Sequence, residues 1–209
     1  MSLIEKLQWR AAVKQFDKNK KLSDTQLDSL LSAIQLAPTS LGLQSFKVIV
    51  VQDAETRQKL RAAGYNQAQI TDASALFVFA SLTKLDEDFG KKFIDLVASQ
   101  RSIDRANLEG YEQMVLGALS SRTDEQKIAW SHKQAYIALG VLVAQAAEIG
   151  VDAAPMEGFD AAKFDEILGL TEKGLTTSVI AAVGFRADED QYSKMIKVRR
   201  PKSELFLHV

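Results

Sequence analysis

The sequence predicts an α+β fold, and three patterns carry that expectation. Apolar residues recur at helical spacing in several stretches, as in Leu27, Leu30, Leu31 and Ile34. Three short apolar or β-branched runs, Phe46 to Val51, Ala75 to Ala80 and Leu175 to Val183, have the character of strands. Helices and strands do not alternate in a regular βαβ order, which favours α+β over a doubly wound sheet.

Along the chain, Ser2 to Arg10 predicts a short helix with Leu3, Ile4 and Leu7 on one face. Ser23, three residues before Gln26, forms a capping box, and the helix it opens stops before Pro38. Phe46 to Val51 follows as a strand. Ala54 to Ala63 is helical and ends at Gly64. Ala75 to Ala80 is a second, buried strand. Asp86 to Leu119 is charged and amphipathic, with Gly90 and Gly110 read as punctuation between two or three helices. Thr123 to Gln126 is another capping box, opening a long helix to Glu148 that Gly150 closes. From Ala135 to Ala147 this helix is apolar nearly all round, which predicts burial on every side, in a central position or at a subunit interface. Phe159 to Leu168 is a short helix ended by Gly169, Leu175 to Val183 is a strand, and the residues after Arg186 form an extended arm. No linker, repeat or low-complexity segment interrupts this order, so one domain over residues 1–209 is expected.

Composition narrows the function. The 209 residues are 46% hydrophobic and 25% charged, an ordinary globular balance sufficient for one well-buried core. A net charge of −1 provides no bulk attraction to nucleic acid or membrane. The basic run Lys197 to Lys202 is short and lacks interleaved aromatics, so no nucleic-acid partner is expected. The absence of cysteine excludes disulfides, thiol catalysis and thiolate metal sites. Met1 to Lys6 has no apolar signal core, and Ala135 to Ala147 is too short to span a bilayer and contains Gln145. A cytoplasmic protein without membrane contact is the expectation. The two histidines, His132 and His208, are too few for a multi-histidine metal site, and both are expected to be solvated.

No Gly-x-Gly-x-x-Gly follows a predicted strand and no P-loop pattern is present, so a dedicated dinucleotide-binding fold is unsupported. The two ends of the chain nevertheless carry cations in pairs. Arg10 and Lys14 are four apart and share a face if the first helix persists through them. Lys197 and Arg199 are two apart and share a face if extended. A phosphate monoester carries about −1.5 to −2 charge at neutral pH. Several converging cations suit it, and arginine can grip it bidentately. Spacing alone leaves ordinary solvated charges as the alternative.

Between these ends lie Pro38-Thr39-Ser40-Leu41-Gly42-Leu43-Gln44 and Pro155-Met156-Glu157-Gly158-Phe159. Together with Trp9 to Phe16 and Lys197 to Pro201, their order and spacing resemble the FMN-dependent nitroreductase family, of the oxygen-insensitive nitroreductase B and flavin reductase type. The resemblance covers essentially the whole chain. It implies a nitroreductase-like fold: a central mixed, mostly antiparallel sheet flanked by helices, with an extended C-terminal arm, in an intertwined homodimer. It also implies FMN as cofactor, NADH or NADPH as co-substrate, and a small-molecule electron acceptor such as a nitro compound or quinone. Arg10, Ala11, Ala12 and Lys14 fall on the family's N-terminal flavin contacts. Pro38, Thr39, Ser40 and Gly42 fall on the loop that the neighbouring subunit supplies. Asn66 and Gln69 fall on contacts just before Asp72-Ala73-Ser74, and Gln134 on a polar contact from the long helix to the flavin side. Pro155, Glu157 and Gly158 fall on the loop under the isoalloxazine ring, and Lys197 and Arg199 on the phosphate grip.

Each implied role has a physical reason. A cation near flavin N1 and the C2 carbonyl favours the reduced form and raises the potential, and Lys14 is the candidate. Asn66 both donates and accepts, which matches the imide-like edge of the ring. The backbone N–H groups of Glu157 and Gly158 would address N5 and O4, with Gly158 permitting close approach. Since the cofactor carries the redox chemistry, no side chain is expected to act as acid or base. Tyr111, Met114 and Leu116 are candidates for the substrate side, with core packing as the alternative for Tyr111 and Met114. Trp9 and Trp130 are expected to pack.

The chain departs from the family pattern in four places. Ala11-Ala12 stands where His-Ser is common, removing a hydroxyl. Gln69 stands where a lysine is expected. Gln44-Ser45-Phe46 replaces Gln-Pro-Trp, and Leu116 stands near an aromatic substrate-stacking position. A flavin or dihydropteridine reductase on the same scaffold is therefore the alternative activity, and a flavin-binding protein without turnover the alternative class.

Overall fold

The computed structural model describes residues 2–209 and is built around a four-stranded sheet. Helix α1 (Leu3–Trp9) opens behind a Ser2–Glu5 capping box, and helix α2 (Asp24–Gln35) behind the Ser23–Gln26 box. Strand β1 (Phe46–Val51), helix α3 (Ala54–Ala63), the single turn α4 (Gln69–Asp72) and strand β2 (Ala75–Leu82) follow. Helices α5 (Glu87–Arg101) and α6 (Glu109–Ser120) are joined through a 3-10 turn, and helix α7 (Asp124–Glu148) leaves the Thr123–Gln126 box. Strand β3 (Asp152–Met156), helix α8 (Ala161–Leu168), strand β4 (Leu175–Gly184) and the one-turn helix α9 (Lys202–Leu205) complete the chain.

The α+β expectation holds, and the sheet is antiparallel throughout, in the order β1-β2-β4-β3. Each helical excursion between paired strands re-enters the sheet at the end it left, so neighbouring strands run in opposite senses. Strand β2 lies in the centre, and its alternation sends Ala75, Phe77 and Phe79 to one face and Leu76 and Val78 to the other. The first set packs on α2 and α7 through Leu30, Ile34, Ala135, Ala138 and Leu142. The second packs on α3, α4 and α8 through Leu60, Ile70 and Phe164. Phe77 and Phe79 are fully buried, so truncating either to alanine costs about 3–5 kcal/mol.

Two expectations are corrected, and a third is met on one side only within a single chain. Strand β3 stands where only a loop was expected, so Pro155 lies in a strand. β3 is an edge, where a missing N–H is tolerated, and its five residues with a proline show no readable alternation. Gly90 and Gly110 lie inside α5 and α6 rather than between helices. A Cβ at Gly90 would sit 2.7 Å from Leu116 Cδ2, so this glycine lets α5 and α6 approach closely. The break between the helices falls instead at Ser102, left-handed with φ 53°, before the Asp104 cap. Helix α7 is buried along Gln134, Ala135, Ala138, Leu139 and Leu142, but Tyr136, Ile137 and Gly140 form an exposed side within one chain.

Two smaller differences concern polar groups. His132 is not solvated: it is half-buried, with Nδ1 2.6 Å from Ser178 Oγ and 3.3 Å from Ser81 Oγ, and burial pushes its pKa down. His208 is exposed. Trp9 and Trp130 pack as expected, each under a guanidinium, Arg186 at 4.3 Å and Arg122 at 4.4 Å. Among the described residues, no helix is long and apolar enough to cross a membrane.

Candidate active site

Helix α1 ends at Trp9, so Arg10 and Lys14 are not on one helix face. The chain instead runs extended, with Ala11 and Val13 buried in the core beside Ala63, Ile70 and Met156. Period-two alternation then leaves Ala12 and Lys14 exposed, and Arg10 half-buried, on the opposite side. The two cations share a side for a different reason than helical spacing.

The far end of the chain comes to meet them. Phe16 bridges to Arg186, Asp17 N–H donates to the Phe185 carbonyl, and Ala187 N–H to the Gln15 carbonyl. Asp190, fully buried, fastens the junction. Its Oδ1 accepts from the N–H groups of Lys14 at 2.7 Å and Gln15 at 3.0 Å, and its Oδ2 from Ser193 N–H at 2.7 Å. Burial alone would raise the Asp190 pKa, but these donations outweigh it and hold the carboxyl below the usual range. Asp190 was missed by the sequence analysis. Its only local signal is the spacing to Ser193, an aspartate accepting from the N–H three residues on.

The result is a cleft of about 220 Å³ lined by Arg10, Ala11, Ala12, Tyr192, Met195, Ile196, Lys197 and Arg199. Lys197 Nζ donates to the Gln8 carbonyl at 2.6 Å, near the C-terminal end of α1. Lys14 stands beside the cleft, with Nζ 5.7 Å from the Tyr192 ring centre. Among the described residues, Arg10, Lys197 and Arg199 have no carboxylate at ion-pair distance. The nearby Asp152 is held by Arg186, at 2.6 and 2.9 Å. Burial is the main cause that lowers the Arg10 pKa, and Arg199 adds to it against the pull of Asp152. Lys197 is also lowered, by burial first and then by Arg10, Arg199 and Arg186. The Arg10 Nε–H is buried without a partner. A group of cations that depress one another, with an orphaned donor among them, has the charge and the free donor to receive an anion.

Across the same core cluster lies a second set of groups. Asn66 and Tyr65 are left-handed at φ 58° and 54°, and Gln69 is buried at the start of α4. Gln67 Nε2 donates to the Gly158 carbonyl at 2.6 Å and to the Gly64 carbonyl at 3.1 Å. Asp160 N–H donates to the Ala63 carbonyl, and Phe159 N–H to the Glu157 carbonyl. Tyr136 Oη donates to Glu157 Oε1 at 2.7 Å. Both carbonyls of the Glu157–Gly158 turn thus have partners, while among the described residues its two N–H groups donate to nothing. The turn's free backbone hydrogen-bonding groups are these two donors.

The remaining candidates form a separate group within one chain. Ser40 N–H donates to Gln134 Oε1 at 2.8 Å, and Gln134 Nε2 to the Trp130 carbonyl, so Gln134 holds the Pro38–Gly42 loop and does not face the cation cleft. Tyr111 Oη donates to the Leu41 carbonyl at 2.9 Å, and Leu41, Phe93 and Tyr111 share a core with α5 and α6. Leu116 lines a cleft of about 570 Å³ with Gln113, Leu119 and Lys127, while Met114 is exposed. On α7, Tyr136 is two residues beyond Gln134, about 200° round the axis. Loop and turn are therefore tied to different sides of that helix. Of the five non-glycine residues with positive φ among those described, Leu41, Gln44, Tyr65 and Asn66 lie in these two loop regions. Strain of that kind concentrates at working sites.

The nitroreductase family model matches residues 7–185. The chain belongs to the nitroreductase family. Lys197 and Arg199 lie beyond the matched segment, so their place rests on the cleft geometry. The chain is 30% identical over 216 residues to the oxygen-insensitive NAD(P)H nitroreductase of Enterobacter cloacae, covering 98% of each. It is 35% identical over 197 residues to YfkO of Bacillus subtilis, named as a candidate NAD(P)H nitroreductase, covering 88% of each. A candidate nitroreductase of Exiguobacterium sibiricum, solved in complex with FMN, superposes with a TM-score of 0.86 at 18% identity, covering 100% of this chain and 98% of that one. The fold is the nitroreductase fold.

Proposed function

We propose that the protein is an FMN-dependent NAD(P)H oxidoreductase that reduces nitro compounds, quinones or similar small acceptors. The observation that carries this reading is the buried, unpartnered Arg10 Nε–H in a cleft with Lys197 and Arg199. A terminal phosphate supplies the missing acceptor and the missing negative charge. FMN, when bound, supplies two-electron transfer from the nicotinamide to the acceptor.

The chain's own residues bind and orient. Arg10, Lys197 and Arg199 hold the phosphate, and the small side chains of Ala11 and Ala12 leave it room. Lys14 offers positive charge beyond Tyr192, toward the pyrimidine edge, with Asn66 and Gln69 as polar partners. The free N–H groups of Glu157 and Gly158 address acceptor atoms on the central ring. No dinucleotide-binding unit is present in the sequence, so donor and acceptor take turns at one ring face, a ping-pong scheme.

The same reading requires a second copy of the chain. Pro38, Thr39, Ser40 and Gly42, with Tyr111 and Leu116, belong to a unit tied away from the cleft, and in a symmetric dimer that unit would complete the partner's site. Leu3 and Ile4 on α1, Tyr136 and Ile137 on α7, and Leu36 after α2 are exposed apolar groups that such a contact would cover.

The purified protein is expected to be yellow, to release FMN on denaturation, to bleach with NADH or NADPH under argon, and to recolour with a nitro or quinone acceptor. Double-reciprocal plots at several acceptor concentrations should be parallel, and light scattering should give a dimer. Release of FAD, or failure to reconstitute any flavin, would sink the reading.

A further inference from the structure

Resting on that FMN reading, we infer that Gln67 and Tyr136 are positioning residues that clamp the Glu157–Gly158 turn from two sides and fix its free N–H groups toward the cofactor. Neither residue touches the cation cleft. Gln67 Nε2 takes the Gly158 carbonyl at 2.6 Å and is itself held by the Gly64 carbonyl at 3.1 Å. A Cβ on residue 158 would sit 3.4 Å from that same nitrogen, so the amide packs directly against the turn. From the other side, Tyr136 Oη takes the Glu157 carboxylate at 2.7 Å. Burial, then the bond to Glu157, pushes the Tyr136 phenol up to about 12, so it stays a donor throughout the neutral range.

The geometry has a chemical consequence. With a donor already on each carbonyl and both N–H groups free, the turn offers the cofactor its donors. A fixed donor favours whichever state of the ligand presents an acceptor at that point. Oxidised flavin accepts at N5, and after reduction N5 carries a hydrogen. A rigid turn therefore favours oxidised FMN, and slackening it weakens that state selectively. General loosening of the fold would weaken both states alike and leave the potential where it was.

The test uses full-length Gln67→Leu and Tyr136→Phe, each loaded with FMN. Fluorescence titration gives the affinity for oxidised FMN, and equilibration with reference dyes under argon gives the two-electron potential. Each variant is expected to bind oxidised FMN about tenfold more weakly, with a potential about 30 mV higher, the equivalent of tenfold for a two-electron couple. FMN-free samples should melt within a few degrees of the unaltered protein. A potential that does not rise, whether or not affinity changes, overturns the clamp. Failure of the unaltered protein to bind FMN overturns the functional reading, and the clamp's role with it, and is seen before any variant is measured.

Discussion

The cation cleft and the α5–α6 pair use the same charged residue types in opposite ways. On α5 and the turn that joins it to α6, three cations are paired within the chain: Lys91 with Glu87, Lys92 with Asp88, and Arg105 with both Asp95 and Glu112. At the chain ends, Arg10, Lys197 and Arg199 face one another and, among the described residues, have no carboxylate at ion-pair distance. Four-residue spacing on one helix is enough for the two lysine pairs, and Arg105 ties α5 to α6 through its two carboxylates. The cleft keeps its charge uncompensated, an arrangement that lowers stability unless an anion arrives. Unpaired cations held together by the fold therefore mark a site, whereas paired cations on a helix surface mark solvation.

The strongest way to break that contrast is to remove charge from each region in turn. Lys197→Ala combined with Arg199→Ala should weaken FMN binding at least ~100-fold, since hydrogen bonds to charged groups are worth about 1.5–3 kcal/mol each. Arg105→Gln, which deletes the paired charge of the other region, should leave the FMN titration unchanged. If the two variants titrate alike, the cleft cations are ordinary solvated charges.

A second test concerns what holds the cleft together. Asp190→Ala leaves the N–H groups of Lys14, Gln15 and Ser193 without an acceptor, and an unmet buried donor costs about 1–3 kcal/mol. The melting temperature should fall by about 2–4 °C per kcal/mol, and FMN affinity should fall with it. The pH dependence has a definite sign. Because the Asp190 carboxyl is depressed in the folded state, its contribution is full above the unfolded value of about 3.9 and is lost as pH falls through the folded value. The gap in stability between the two proteins should therefore close in acid below about pH 4. A gap that instead widens there would show that Asp190 is not the charged fastener.

The smallest effect sharpens the picture at the ring edge. Gln69→Lys adds a cation where the family pattern has one, and should raise the two-electron potential of bound FMN by about 30 mV, or roughly 1.4 kcal/mol. A potential that stayed put or fell would mean that residue 69 does not face the pyrimidine edge.

Much of the fold was legible because its signals are local. The Ser23–Gln26 and Thr123–Gln126 boxes start α2 and α7 where the sequence places them, and the run Phe46 to Val51 is β1 to the residue. Gly90 misled because a glycine inside a helix and a glycine at its end look alike in one dimension. Only the 2.7 Å approach of Leu116 separates the cases. Asp152–Met156 was unreadable as a strand because its regularity comes from pairing with β4, not from its own five residues.

By itself, the sequence determined the α+β class, the helix starts, the family and the identity of the chain-end cations, since each depends on residue type at short fixed spacing. Tertiary structure decided the rest. It brought Lys197 to the Gln8 carbonyl across 189 residues, left Arg10 Nε buried and unmet, and turned Gln134 toward Ser40. It also placed Gln67 and Tyr136 on one turn. No spacing rule reaches those distances, because the backbone that spans them is positioned by the sheet and its packed helices, and only the closed core makes the two ends neighbours.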